Sequence, residues 1–103
     1  MSEKITEKYA VEGTYVYFIE AVERGMVKIG FSSDVESRLR KLQEQIPYDL
    51  EIVGQVSGGA DLEQLLHQKF SSYRRDTHDV WFKKKEWFFF KEEIKEFIAG
   101  GWN

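Results

Sequence analysis

Three residues on a short stretch could carry chemistry together. Lys28 lies mid-strand, Gly30 follows two residues later, and Arg38 lies on the next helix, eight residues after the glycine. Two cations on adjacent elements suit anionic oxygen, and a guanidinium can grip two such oxygens at once. Tyr15 and Tyr17 lie on the preceding strand, and Glu63 and His67 lie one turn apart on a later helix. Each residue also has an ordinary explanation. Tyrosines pack well in strands, a strand lysine protects an edge, Arg38 with Glu36, Arg40 and Lys41 forms the wet side of a helix, and Glu63 suits the positive end of a helix dipole.

Other chemistries find no support. Cysteine is absent, so there is no disulfide, thiolate metal site or cysteine nucleophile. His67 and His78 are eleven apart and lack the spacing of a zinc pair. Ser57-Gly58-Gly59 lacks the Lys-Ser/Thr of a phosphate loop. Nothing points to a serine triad.

The elements that must position these residues follow from periodicity. Thr14 to Ile19 is the strongest strand, β-branched and aromatic throughout. Tyr15, Tyr17 and Ile19 share one face, and Val16 and Phe18 the other. Glu20 to Gly25 makes a hairpin connection into residues 26–31, where Val27, Ile29 and Phe31 alternate with Met26, Lys28 and Gly30 as in a half-buried strand. Ser33 and Glu36 have capping-box spacing at the start of a helix over Asp34 to Gln45. Its stripe is Val35, Leu39, Leu42 and Ile46, and Pro47 stops it. Leu50 to Val56 is a third strand, with Gly54 a bulge or close-approach point. Asp61 is the expected cap of a helix running to Tyr73, with Leu62, Leu65, Leu66, Phe70 and Tyr73 on its apolar face. Val80-Trp81-Phe82 reads as a short strand or aromatic anchor, and Glu86 to Phe90 as a further apolar run. A last helix, Lys91 to Ala99, carries Ile94, Phe97 and Ile98 inward and stops at Gly100-Gly101.

With 103 residues, 42% hydrophobic and 16% aromatic, the chain suits one folded domain over residues 14–100, preceded by a flexible arm over 1–13. No apolar run approaches a membrane span, and no signal core opens the chain, so the expected location is intracellular, in the cytoplasm, with no membrane partner. The net charge of −3 argues mildly against nucleic acid. The charge is uneven, however. Residues 61–85 hold six Lys/Arg against four acids, so a basic face is compatible with the total.

Five blocks in order carry a family resemblance: Tyr15-Val16-Tyr17, Lys28-Ile29-Gly30, Arg38, Leu62-Glu63 with His67, and Glu86-Trp87-Phe88. The sequence resembles the GIY-YIG nuclease superfamily, and within it the phage-derived branch similar to meiotically up-regulated gene 113-like domains. Tyr15 stands in place of the first glycine, and Lys28 in place of the second tyrosine. The resemblance spans residues 14–98. It implies phosphodiester hydrolysis with one Mg²⁺ or Mn²⁺. Glu63 would be the metal ligand, Tyr17 would position or activate the attacking water, and Lys28 would favour its phenolate. Arg38 would hold the scissile phosphate, and His67 would orient a water, a phosphate or Glu63. Tyr15, Arg40, Lys41, Lys69, Arg74 and Arg75 would contact the nucleic acid.

The resulting expectation is a small α+β domain, with a mixed, mainly antiparallel sheet flanked by helices. Its site would lie on the sheet face carrying Tyr17 and Lys28, rimmed by Arg38 and Glu63. The expected function is a metal-dependent endonuclease acting on DNA, with RNA as the second substrate class and a protein partner supplying specificity. The alternative is a catalytically weak or inactive module that binds nucleic acid or protein on the same fold. The acidic total, the lone carboxylate and the lack of a counterpart to the superfamily's late asparagine motivate it, as does the aromatic density at residues 81–90; the stretch Asp76 to Lys85 reads as an insertion before Glu86.

Overall fold

The computed structural model describes residues 5–74 and 86–100. The expected strand at Val80-Trp81-Phe82 and the expected nucleic-acid contact Arg75 lie outside the described residues, as do His78 and the lysine run at 83–85. The elements in chain order are α1 (Ile5–Lys8), β1 (Tyr15–Ala21), β2 (Met26–Ser32), α2 (Val35–Gln45), β3 (Leu50–Ser57), α3 (Ala60–Lys69), β4 (Trp87–Phe89) and α4 (Glu92–Ile98). The four strands form one sheet in the order β3-β1-β2-β4, and every pairing is antiparallel. The fold is therefore the expected α+β class.

β1 and β2 pair as a hairpin, closed by a 3₁₀ turn at Val22–Arg24 and Gly25 in the left-handed region. The register sets Tyr17 opposite Gly30 and Ile19 opposite Lys28. Directly opposed side chains share a face, so Tyr17, Lys28 and the bare Cα of Gly30 lie together. β3 pairs with the other edge of β1, and the register shifts at Val53, where Phe18 faces Gly54 but Ile19 faces Ile52. Gly54 is also a close-approach point, since a Cβ there would lie 2.7 Å from Ile98 Cγ2.

Two cores sandwich the sheet. On one face Val16, Phe18, Val27 and Ile29 pack with Leu62, Leu66 and Phe70, and with Phe88, Ile94 and Phe97. On the other, Tyr17, Ile19, Ala21 and Met26 pack with Val35, Ile46, Leu50 and Trp87, and the half-buried Leu39 and Leu42 complete the α2 stripe. α3 and α4 thus cover one face and α2 the other. Both helix stripes read from the sequence are confirmed.

Four local expectations need correction. β2 is not half-buried: Met26 to Gly30 are all buried, because helices cover both faces of a central strand. The N-cap of α2 is Asp34, whose carboxylate accepts from Ser37 N at 3.0 Å, and not Ser33. An ionised acceptor outcompetes a hydroxyl one position away. The N-cap of α3 is Gly59, with no side-chain cap, and Asp61 sits inside the first turn. α3 ends at Lys69, and Ser71–Tyr73 continue as a 3₁₀ turn, so the apolar face bends with the chain. Trp87 and Phe88 are buried, one in each core. They contribute nothing to an exposed aromatic interface, and Trp81 and Phe82 lie outside the described residues.

Candidate active site beside strand β2

On β2, β4 pairs with Met26 to Lys28. Beyond Lys28 this edge of β2 has no strand neighbour among the described residues, and its polar groups find other partners. Ile29 N donates to Glu86 O at 3.3 Å, and Ile29 O accepts from His67 Nε2 at 2.8 Å. A carbonyl can only accept, so Nε2 carries the proton. The imidazole also meets the Phe88 ring edge-on, with centroids 5.0 Å apart. His67 therefore braces α3 against the edge of β2 at Ile29. That brace also fixes the helix that carries Glu63, one turn earlier.

The result is a cavity of about 170 Å³ lined by Tyr17, Lys28, Gly30, Arg38, Glu63, His67 and Glu86, with Ile29 and Phe31. Tyr17, Lys28, Arg38, Glu63 and His67, the five side chains singled out for chemistry in the sequence, all face it. They arrive from β1, β2, α2 and α3. Tyr17 is 2% exposed, and its ring lies across Gly30. A Cβ at Gly30 would lie 2.6 Å from Tyr17 Cζ and collide with the hydroxyl. The glycine is there because the phenol needs its space.

The electrostatics are specific. Lys28 is buried, and its Nζ lies 3.1 Å from Glu86 Oε2. Glu63 Oε1 lies 4.0 Å from His67 Nε2, beyond hydrogen-bond range. Arg38 is exposed and forms no ion pair among the described residues. The Tyr17 hydroxyl is pushed up from 10.0 to about 12, chiefly by burial. Arg38 pulls it down, while Glu86 and Glu63 push it up. Arg38 is thus a cation that favours the phenolate.

Strand, glycine, arginine helix and acidic helix thus meet in one cavity, in the order of the sequence blocks. A family model, the T5orf172 domain, matches residues 14–101. The chain belongs to the T5orf172 domain family. This is a phage-associated domain often described as related to GIY-YIG-like nuclease folds. No curated protein and no solved structure matches the chain significantly.

In this T5orf172 domain the remaining expected contacts are dispersed. Tyr15 is half-buried against the α2-side core, outside the cavity. Arg40 and Lys41 are exposed on α2. Lys69 pairs with Glu93 at 3.4 Å and lies over Phe70. Arg74 donates from Nη2 to His67 O at 3.4 Å and lies over Phe88. It also lines an adjoining open cavity of about 520 Å³ that shares Glu63 and His67 with the site. Its buried Nε has no partner among the described residues.

One site residue escaped sequence reasoning. Glu86 faces the cavity and holds Lys28, yet it drew attention only as the head of the Glu-Trp-Phe block. Its position in that block was the available signal. No group of three or more metal-ligating side chains occurs among the described residues, and no described helix is long and apolar enough to cross a membrane.

The T5orf172 domain should lose stability at alkaline pH through Tyr17. Its folded-state value is raised, so the contribution of the neutral phenol is complete below pH 10 and is lost as pH rises through about 12. Urea melts at pH 9 and 11 should show the wild type losing about 1 kcal/mol more than Tyr17→Phe. Equal losses would mean that burial does not penalise the phenolate.

Proposed function

We propose that this T5orf172 domain is a metal-dependent endonuclease of GIY-YIG type that hydrolyses phosphodiester bonds, with DNA as the first substrate class to test and RNA as the second. The observation that carries the reading is the convergence of Tyr17, Lys28, Arg38 and Glu63 on one small cavity. The chemistry of the donor set fits a hydrated Mg²⁺ or Mn²⁺. Glu63 offers one hard carboxylate in a partly open cavity, and these ions keep much of their shell as water and phosphate. Bound there, the ion would supply Lewis-acid stabilisation of phosphoryl charge.

The chain's own residues have distinct tasks in this reading. Arg38 grips the scissile phosphate through two N–H donors and stabilises charge that grows on its oxygens. Lys28 adds a second cation on the sheet floor. Tyr17, neutral through the physiological range, aligns the attacking water by hydrogen bonding at a fixed position over Gly30. His67 is a positioning residue, because its Nε2–H is committed to Ile29 O and its effect reaches the site through α3. Specificity beyond a few bases would come from a protein partner.

A second reading is favoured by the neutral Tyr17: the same cavity binds phosphate without cleaving it. One experiment separates the two. Wild type and Glu63→Ala are incubated with duplex DNA, single-stranded DNA and RNA in Mg²⁺ or Mn²⁺, and binding is followed in parallel. Cleavage by wild type, reduced at least 100-fold in Glu63→Ala with binding retained, supports the nuclease reading. Salt-dependent binding with no metal-dependent product supports the binding module.

A further inference from the structure

Lys28 and Glu86 form an asymmetric pair. The lysine side chain is 9% exposed and the glutamate side chain 48%, with Nζ and Oε2 3.1 Å apart. A buried ammonium needs an anion at all times, because leaving it unpaired is far more costly than the pair is favourable. Glu86 itself has access to water and can give up the contact at little cost. Its backbone is held by Ile29 N and by the start of β4, so the carboxylate can turn away about its own side-chain bonds while the sheet stays intact. Arg38, across the same cavity, is exposed and unpaired among the described residues. Of the two cations facing the cavity, one is ready for an anion and the other already holds one.

We infer that Glu86 occupies the place at Lys28 that a phosphodiester oxygen takes when nucleic acid binds, acting as an internal counter-ion that the substrate displaces. The inference rests on the phosphodiester reading above. The exchange conserves what Lys28 requires, since carboxylate and phosphate oxygens are equivalent acceptors for an ammonium. Among the described residues the cavity also sets two carboxylates against two cations, so their charges balance and a stray anion gains little by entering. A polyanion can make the exchange because Arg38 and further phosphate contacts contribute at the same time.

The test is fluorescence anisotropy of short duplex and single-stranded DNA in the presence of a chelator. It compares wild type, Glu86→Gln, Lys28→Met and the double variant, with thermal melts as the folding control. Glu86→Gln is expected to bind roughly three- to fivefold more tightly than wild type, and the gain should vanish when Lys28 is methionine. Unchanged or weaker binding by Glu86→Gln, with wild-type binding measurable, overturns the inference and leaves Glu86 as a positioning residue. A gain that persists without Lys28 also overturns it, because that would be a general effect of charge. Binding by neither wild type nor Glu86→Gln overturns the nucleic-acid reading and the inference together. A second measurement needs no variant: the side-chain ¹⁵N resonance of Lys28 should shift on adding DNA to wild type, and an unmoved resonance overturns the exchange.

Discussion

Replacing Arg38 by alanine is expected to lower cleavage by roughly 100- to 1,000-fold and to leave the melting transition nearly unchanged. The reason lies in how α2 uses its two sides. Val35, Leu39, Leu42 and Ile46 anchor the helix to the sheet, while Arg38 projects from the wet side and contributes nothing to that core. It forms no ion pair among the described residues, so no buried partner is orphaned by its removal. Its role in the proposed reaction is confined to the phosphate. Arg38→Lys should recover only a small part of the loss, since an ammonium offers a point charge where the guanidinium offers a planar fork. Single-turnover cleavage and a thermal melt of the same samples check both halves. Full activity in Arg38→Ala would remove the phosphate clamp from the mechanism. A collapsed melting transition would show that Arg38 is structural.

Gly30→Ala is expected to damage the site and the fold together. The added Cβ would lie 2.6 Å from Tyr17 Cζ, inside any real carbon contact, and it would also overlap the hydroxyl. Tyr17 cannot retreat, because its ring is 2% exposed and packed within the α2-side core. Overpacking of this kind costs roughly 1–3 kcal/mol, a fall in Tm of about 5–15 °C for a domain of this size. Any adjustment of the ring also moves the hydroxyl, and a displacement near 1 Å is worth about 100-fold in rate. The companion variant Gly30→Ala/Tyr17→Leu separates the two effects: it should recover stability and remain inactive. A Gly30→Ala protein with wild-type Tm and wild-type cleavage would show that the close approach of Tyr17 to β2 is not maintained.

Much of this architecture was legible in the sequence because it rests on local periodicity. The alternation Tyr15 to Ile19 assigned faces correctly, and the stripes of α2 and α3 identified the residues that cover the sheet. The hairpin at Gly25 and the bulge beside Gly54 followed from backbone chemistry. The cap positions were less legible, because several acceptors within two residues compete for the same first-turn amides. Ser33 lost to Asp34 on charge, and Asp61 lost to a glycine cap once the turn at Ser57-Gly58-Gly59 set where the helix begins.

The sequence by itself determined the α+β class, the covering faces of its helices and which five side chains to watch. Tertiary structure alone decided what those side chains meet. His67 binds the carbonyl of Ile29 on β2 and so fixes α3, whose Glu63 lines the same cavity as Tyr17 and Lys28. Lys28, whose ordinary reading was a solvated or edge lysine, is buried because helices cover both faces of its strand, and its partner Glu86 lies 58 residues further along the chain. Arg38 is a cation that eases Tyr17, because α2 packs on the Tyr17 side of the sheet. Periodicity reports which way a side chain points on its own element. The meeting of charges from four elements depends on strand lengths and register, which are settled only when the whole sheet is assembled.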